Sequence, residues 1–277
     1  MRNVKIVADS SANLLTLDGV AFATAPLKII AGEREFVDDA ALDADGMVTW
    51  FDSYKGKSKT SCPNPGDWIE AFDGAEEVFC VTITSGLSGS YNAACVAKQM
   101  YEAENPGKKV YVIDSLSAGP ELVLIIEKLQ QWILEEKPFG DICEEIEYYK
   151  KSTGLVFMLE SLKNFAANGR VSPAVAKLAG MLSLRLVGKA SDEGTLQPTG
   201  KARGDQKVPG ELLKQLISLG YKGGRVRIHH CYNLPSAERL KQAILEKFPK
   251  ASIIIHKTGA LCSYYAERGG MLVGFET

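Results

Sequence analysis

The chain has 277 residues, 45% of them hydrophobic and 24% charged, and a formal net charge of −2. That length accommodates roughly two domains, each with a core large enough to stand without disulfide or metal staples. The composition excludes a disordered, collagen-like or low-complexity chain, and the lack of a basic excess argues against a dedicated nucleic-acid binder.

Residues 4–8 (VKIVA) read as a short buried strand, followed at once by Asp9-Ser10-Ser11, a capping and turn sequence. A second strand is expected over 25–30. Residues 31–59 are polar and mixed, broken by Gly32 and Gly46. Asn64 can cap a helix and Pro65 suits its first position, which predicts a helix over 65–72. Residues 77–84 (EVFCVTIT) form a strand of the buried type, and the helical composition after Ser90 ends before Pro106. Another strand covers 109–114. A long helix over about 120–136 is apolar nearly all round at LVLII, so it should be covered on several sides. Strands alternating with helices argue a parallel sheet with helices on its faces.

Beyond residue 150 the rhythm changes. Residues 154–159 (GLVFML) read as a strand and 160–168 as a helix that Gly169 ends. Ser172 can cap, and Pro173 open, a helix carrying Val175, Leu178, Ala179 and Leu182. The polar turn KASDEGTLQP resembles a hairpin. RVRIHHC and ASIIIH are strands with a helix over 236–248 between them. The resulting class is α/β in two domains: a Rossmann-like parallel-sheet domain over 1–155 and a second α/β domain over 156–277.

Six cysteines, at 62, 80, 95, 143, 231 and 262, form no CxxC pair. Several lie in apolar runs, where a thiol behaves as a small hydrophobe, and together they predict a reduced, cytoplasmic setting. MRNVKIVADSS reaches Asp9 too soon for a secretory signal. No apolar run approaches the roughly 18 residues that span a bilayer. Any lipid contact is therefore expected from water, as a transient touch at a membrane surface.

The strongest local signal is a strand, then Thr84-Ser85-Gly86-Leu87-Ser88-Gly89-Ser90, then a helix. Such a junction aims backbone N–H groups at whatever sits above it, and suits a phosphate or carboxylate; equally, the serines could do no more than cap the helix. GLSGS nearly matches the GxSxG nucleophile elbow but has Ser90 in place of the last glycine. A serine hydrolase would also need a base, and the candidates are His229, His230 and His256. There is no HExxH, CxxC or dense ligand cluster for a metal, and no GxGxxG or Walker loop for a nucleotide. Neither metal nor cofactor is expected. Taken singly, Thr60-Ser61 is a turn, while Arg170, Lys201 and Arg203 are surface charges.

In order, ADSSANL, PLKI, KTSCP, ITSGLSGSYNAA, VIDSLSAG, LKNFAANGRVS and GKARG resemble the DegV family over nearly the whole chain. The resemblance implies two α/β domains with a lipid pocket between them. It also implies one bound long-chain fatty acid, whose carboxylate is presented to a partner kinase that makes an acyl phosphate for phospholipid synthesis, with no catalytic chemistry in this chain. Carried over by motif, Thr60 and Ser61 match the family's TS pair, and Thr60 would bond the carboxylate. Ser88 and Gly89 match the LSG element and would hold the same head group. Arg170 and Arg203 match arginines near the entrance that are linked to phosphate or kinase contact. Relatives commonly read HTGPGAL where this chain has His256-Lys257-Thr258-Gly259-Ala260-Leu261. His256, a further candidate head-group ligand, is therefore displaced by one position, which in a strand turns it to the other face. On this reading, uncharged donors at a helix N-terminus hold the head group without a fixed cation, and the tail runs between Leu- and Ala-rich helices. The competing functions are a serine-dependent acyl hydrolase using Ser88 and a lipid sensor that meets no kinase.

Overall fold

A computed structural model describes residues 3–172, 175 and 184–277. Strand β1 (Val4–Asp9) lies inside a parallel sheet and pairs with β2 (Ala21–Ala25). The strand expected over 25–30 is instead split. Pro26 has no N–H to give a ladder, and the chain leaves the sheet there to start β3 (Lys28–Ala31). With β4 (Arg34–Val37) and β5 (Ser58–Ser61), β3 makes a small antiparallel sheet in the order β4-β3-β5. The segment read only as polar and mixed also holds helix α1 (Ala44–Ser53), capped by the Asp43 carboxylate, which accepts from Gly46 N at 2.9 Å.

Helix α2 (Pro65–Phe72) has the predicted bounds and the predicted cap. The Asn64 side chain accepts from Gly66 N and Asp67 N, while Asp67 accepts from Asn64 N, a reciprocal pair that satisfies the helix's open donors. β6 (Glu77–Thr82), α3 (Ser90–Glu104) and β7 (Lys109–Asp114) follow, and the parallel sheet runs β2-β1-β6-β7. Helix α4 (Pro120–Leu134) is covered as its all-round apolar sequence requires: Leu122, Leu124, Ile125 and Ile126 are fully buried. It packs on β1 and β6 with one side and on the second large sheet with the other.

Helix α5 (Phe139–Tyr149) leads into that second sheet. Its elements are β8 (Thr153–Leu159), α6 (Lys163–Ala167), β9 (Leu184–Ala190), β10 (Leu196–Arg203), α7 (Val208–Ser218), β11 (Arg225–His230), α8 (Leu234–Lys247), β12 (Ser252–Lys257), α9 (Ala260–Ala266) and β13 (Met271–Glu276). The strand order is β10-β9-β8-β13-β11-β12. β11 and β12 are parallel across α8, and the other neighbours are antiparallel. The hairpin expected at KASDEGTLQP is the β9–β10 turn. Most of the helix predicted after Ser172 lies outside the described residues, but Ser172 Oγ accepts from Val175 N at 3.3 Å, as an N-cap would.

Two features weld α4 to the second sheet. Gly274 on β13 faces the start of α4 so closely that a Cβ there would sit 2.6 Å from Glu121 N. Farther along, the Arg227 guanidinium grips Glu127 through Nε at 2.8 Å and a terminal nitrogen at 2.7 Å. Arg225 bridges Glu127 at 3.2 Å and Glu276 at 2.8 Å. This pairing, with a hydrogen bond from Tyr149, holds the Glu276 carboxyl down at about 2 despite partial burial.

Candidate functional site

Between the two large sheets lies a cavity of about 860 Å³, its mouth included. The two-residue period of β8 turns Leu155, Phe157 and Leu159 toward it. Ile83 and Ala118, just past the ends of β6 and β7, line the opposite wall, and Leu261, Cys262 and Tyr265 of α9 close one side. The β9–β10 turn seals another. A Cβ on Gly194, whose φ is +72°, would lie 1.9 Å from Thr84 Oγ1, and one on Gly86 would lie 2.5 Å from Glu193 O. Only glycine tolerates that contact together with that backbone.

Against this mainly apolar lining stands a polar cluster. Thr60 on β5 shares a hydrogen bond with the Tyr265 hydroxyl at 2.7 Å, and its N–H donates to the Asn168 side-chain oxygen at 3.2 Å. Ser88 lies in the β6–α3 loop, half-buried at the cavity, where its Oγ accepts from Ser90 N at 3.2 Å. Arg170 is half-buried on the cavity wall, donating from Nε to Leu87 O at 3.2 Å and from a terminal nitrogen to Asn168 O at 2.8 Å. Both acceptors are neutral carbonyls, so neither cancels the guanidinium charge. The expectation of a site without a fixed cation is thereby corrected: Arg170 is part of the wall rather than a bland surface charge.

Two buried carboxylates set this cluster in place. Asp9 accepts from Ile83 N at 2.8 Å and from Ser90 Oγ at 2.6 Å, gripping both ends of the loop that carries Ser88. Ser11 adds its N–H and hydroxyl, and desolvation pushes the carboxyl's pKa up. Asp38 accepts from Ala260 N and Leu261 N at 2.9 and 3.1 Å, where the first turn of α9 has open donors. It thus seats the helix that brings Tyr265 to Thr60. The turn sequence after β1 is legible as a cap, but its grip on a loop 74 residues away is not.

The other sequence candidates do not reach the cavity. Ser61 alternates outward from Thr60 on β5, is exposed, and donates to its neighbour Cys62 O at 3.2 Å. Gly89 is exposed as the N-cap of α3; its smallness serves close packing, since a Cβ would lie 3.3 Å from Cys62 Sγ. Arg203 is exposed at the end of β10. His256 is corrected as a head-group ligand: on β12 the side chains alternate, leaving it exposed beside a surface hollow with His230 and Tyr232. Tyr265 and Asn168 take part without any sequence signal having marked them. No histidine lines the cavity among the described residues. His229 is paired through Nδ1 with Asn13 at 2.8 Å, and burial holds it neutral with a pKa of about 3. Ser88 therefore has no general base beside it there, which removes the hydrolase triad.

Beside the cavity, the Glu121 carboxyl at the start of α4 accepts from Thr153 Oγ1 at 2.7 Å. Burial pushes its pKa from 4.5 up to about 7. Between those two values the folded chain holds a proton that the unfolded chain has lost, so this group lowers stability as pH rises across the window. The urea midpoint of Glu121→Gln is expected to fall less than that of the natural chain between about pH 4.5 and 7. Parallel curves would show that the carboxyl titrates normally.

Among the described residues, no group of three or more His, Cys, Asp or Glu could hold a metal, and no helix is long and apolar enough to cross a membrane.

A family model described as "uncharacterised protein, DegV family" matches residues 3–277. A DegV domain-containing protein of Streptococcus pneumoniae is 42% identical over 276 residues, covering 98% of each chain. Among solved structures, a DegV family protein of Eubacterium eligens loaded with heptadecanoic acid is 43% identical, with a TM-score of 0.97 and 99% of each chain covered. The fatty acid kinase B3 protein of Streptococcus pneumoniae, loaded with linoleic acid, is 41% identical with the same TM-score and coverage.

Proposed function

This chain belongs to the DegV family, and on that premise we propose that it carries one long-chain fatty acid in the cavity and presents the carboxylate to a partner kinase. The observation that carries the proposal is the cavity itself: mainly apolar walls, with Thr60, Ser88, Tyr265 and Arg170 among the polar groups that line it. Burying a methylene contributes about 0.8 kcal/mol, so a chain of about sixteen carbons could gain on the order of 10 kcal/mol before the entropy of ordering is subtracted. A carboxylate dragged inside unpaired would cost several kcal/mol. The hydroxyls of Thr60, Ser88 and Tyr265 and the Arg170 guanidinium offset that cost. The similar structures loaded with heptadecanoic and linoleic acids support the ligand class, and the kinase name of the second supports the partner.

On this reading Arg203, exposed on β10, belongs to the face a kinase would meet, and any membrane contact is brief and peripheral. The chain divides near residue 155 into two units that share the ligand. The protein supplies binding and presentation rather than catalysis, needs no cofactor, and works in the cytoplasm. Native mass spectrometry of the freshly purified protein, followed by organic extraction, is expected to show one fatty acid per chain. A nucleotide, a metal ion or an empty chain after growth on fatty acids would sink the proposal.

A further inference from the structure

Asn168 does not line the cavity, yet two residues that do are bonded to it. β5 is an edge of the small sheet, so a Thr60 N–H pointing away from β3 has no strand to meet. Asn168 Oδ1 takes it at 3.2 Å. The amide nitrogen of the same side chain donates to Asn164 O at 2.9 Å and to the Tyr264 hydroxyl at 3.0 Å. Tyr264 in turn shares a hydrogen bond of 2.7 Å with Ser58 Oγ, which the two-residue period puts on the same face of β5 as Thr60. The side chain thus stands in for a neighbouring strand, fixing the backbone of Thr60 and one of the two tyrosines by which α9 grips β5. Only an amide fills this place: Thr60 N needs an acceptor and Asn164 O needs a donor, and a carboxylate supplies no donor.

The main chain of Asn168 serves the charged donor. Its carbonyl accepts from Arg170 at 2.8 Å. Gly169, with φ at +71°, turns the chain, and Arg170 N bonds Phe165 O at 2.8 Å to close the end of α6. One residue therefore stands behind both the neutral and the charged donor. We propose that Asn168 is a positioning residue for head-group binding, holding Thr60 through its amide and Arg170 through its carbonyl so that both face the carboxylate together. The inference rests on the fatty-acid reading above and deepens it.

The test compares hexadecanoic acid with hexadecanol, which has the same tail and no carboxylate, on the full-length protein stripped of lipid. Asn168→Ala is expected to bind the acid about tenfold more weakly and the alcohol markedly less so, because a hydrogen bond to a charged group contributes more than one to a neutral group. Alanine keeps the carbonyl that holds Arg170, so the loss acts through Thr60. In a Thr60→Ala background the same substitution should therefore cost the acid clearly less. Equal losses for acid and alcohol, or a loss for the acid that Thr60→Ala does not diminish, overturns the inference, since Asn168 would then serve the fold alone. If Asn168→Ala does not fold, Asn168→Asp takes its place, keeping the size and the acceptor for Thr60 N but neither donor. It too should lose affinity for the acid more than for the alcohol, and equal losses overturn the inference. Failure of the natural chain to bind the acid at all would instead overturn the fatty-acid reading, so the two failures are distinguishable.

Discussion

Replacing Thr60 and Ser88 together by alanine is expected to weaken fatty-acid binding by at least about a hundredfold, because a hydrogen bond to a charged group contributes about 1.5–3 kcal/mol. The two hydroxyls sit on different elements, β5 and the β6–α3 loop, and both border the cavity. Each has a present partner, Tyr265 for Thr60 and Ser90 N for Ser88, so the hydroxyls are already oriented before a ligand arrives. Arg170 would remain, and the residual affinity of the double variant should therefore fall with salt more steeply than that of the natural chain. Titration of the delipidated proteins with a fatty acid gives the ratio directly, and mass spectrometry of purified protein gives the occupancy. Full occupancy and unchanged affinity in the double variant would place the head group elsewhere in the cavity.

Glu127→Ala is expected to cost about 3 kcal/mol of stability, the range for removing one partner of a buried ion pair. Arg227 is 5% exposed, and both Glu127 oxygens are bound to it. Without the carboxylate, its charge stays buried with only the Val226 and Ser252 carbonyls to receive its N–H groups. Arg225 can fall back on Glu276, so the damage concentrates at Arg227. Urea unfolding at neutral pH measures the loss. Glu127→Gln, which keeps the shape and one acceptor, should lose less, and a cost below about 1 kcal/mol for the alanine variant would show that Arg227 finds water.

Legibility followed the range of the physics. Helices α2 and α4 and strand β7 are legible because their signals are local: Asn64 before Pro65, an all-round apolar run, a short apolar strand between polar ends. Pro26 falls inside the strand expected over 25–30, and its missing N–H sends the chain into the small sheet. Helices α1 and α9 and strand β13 are not among the elements expected from the sequence. α9 is only seven residues long and depends on Asp38, 222 residues away, to fill its first turn. Ser88 lies in the strand–loop–helix junction that is the strongest local signal, whereas Thr60 emerges only through the family resemblance. The alternation that turns Thr60 inward, half-buried, and exposes Ser61 follows once β5 is a strand. Tyr265 and Asn168 could not be found this way, because nothing in their own segments announces a partner on β5.

Helix α4 has a bearing on how a guest could enter. Opening the molecule like a clamshell would strip one side of a rod whose Leu122, Leu124, Ile125 and Ile126 are all fully covered, an exposure worth on the order of 5–10 kcal/mol. It would also tear Arg227 from Glu127. The two large sheets therefore hold together as one frame, and on the fatty-acid reading a greasy tail would enter at its border rather than between parted halves. The tip at Gly194 fits closely against Thr84, and α9 is held by backbone donors to Asp38 and Asn13 and by its buried Leu261 and Tyr264. On the fatty-acid reading, a guest would have to pass the border of that frame while its walls stand still.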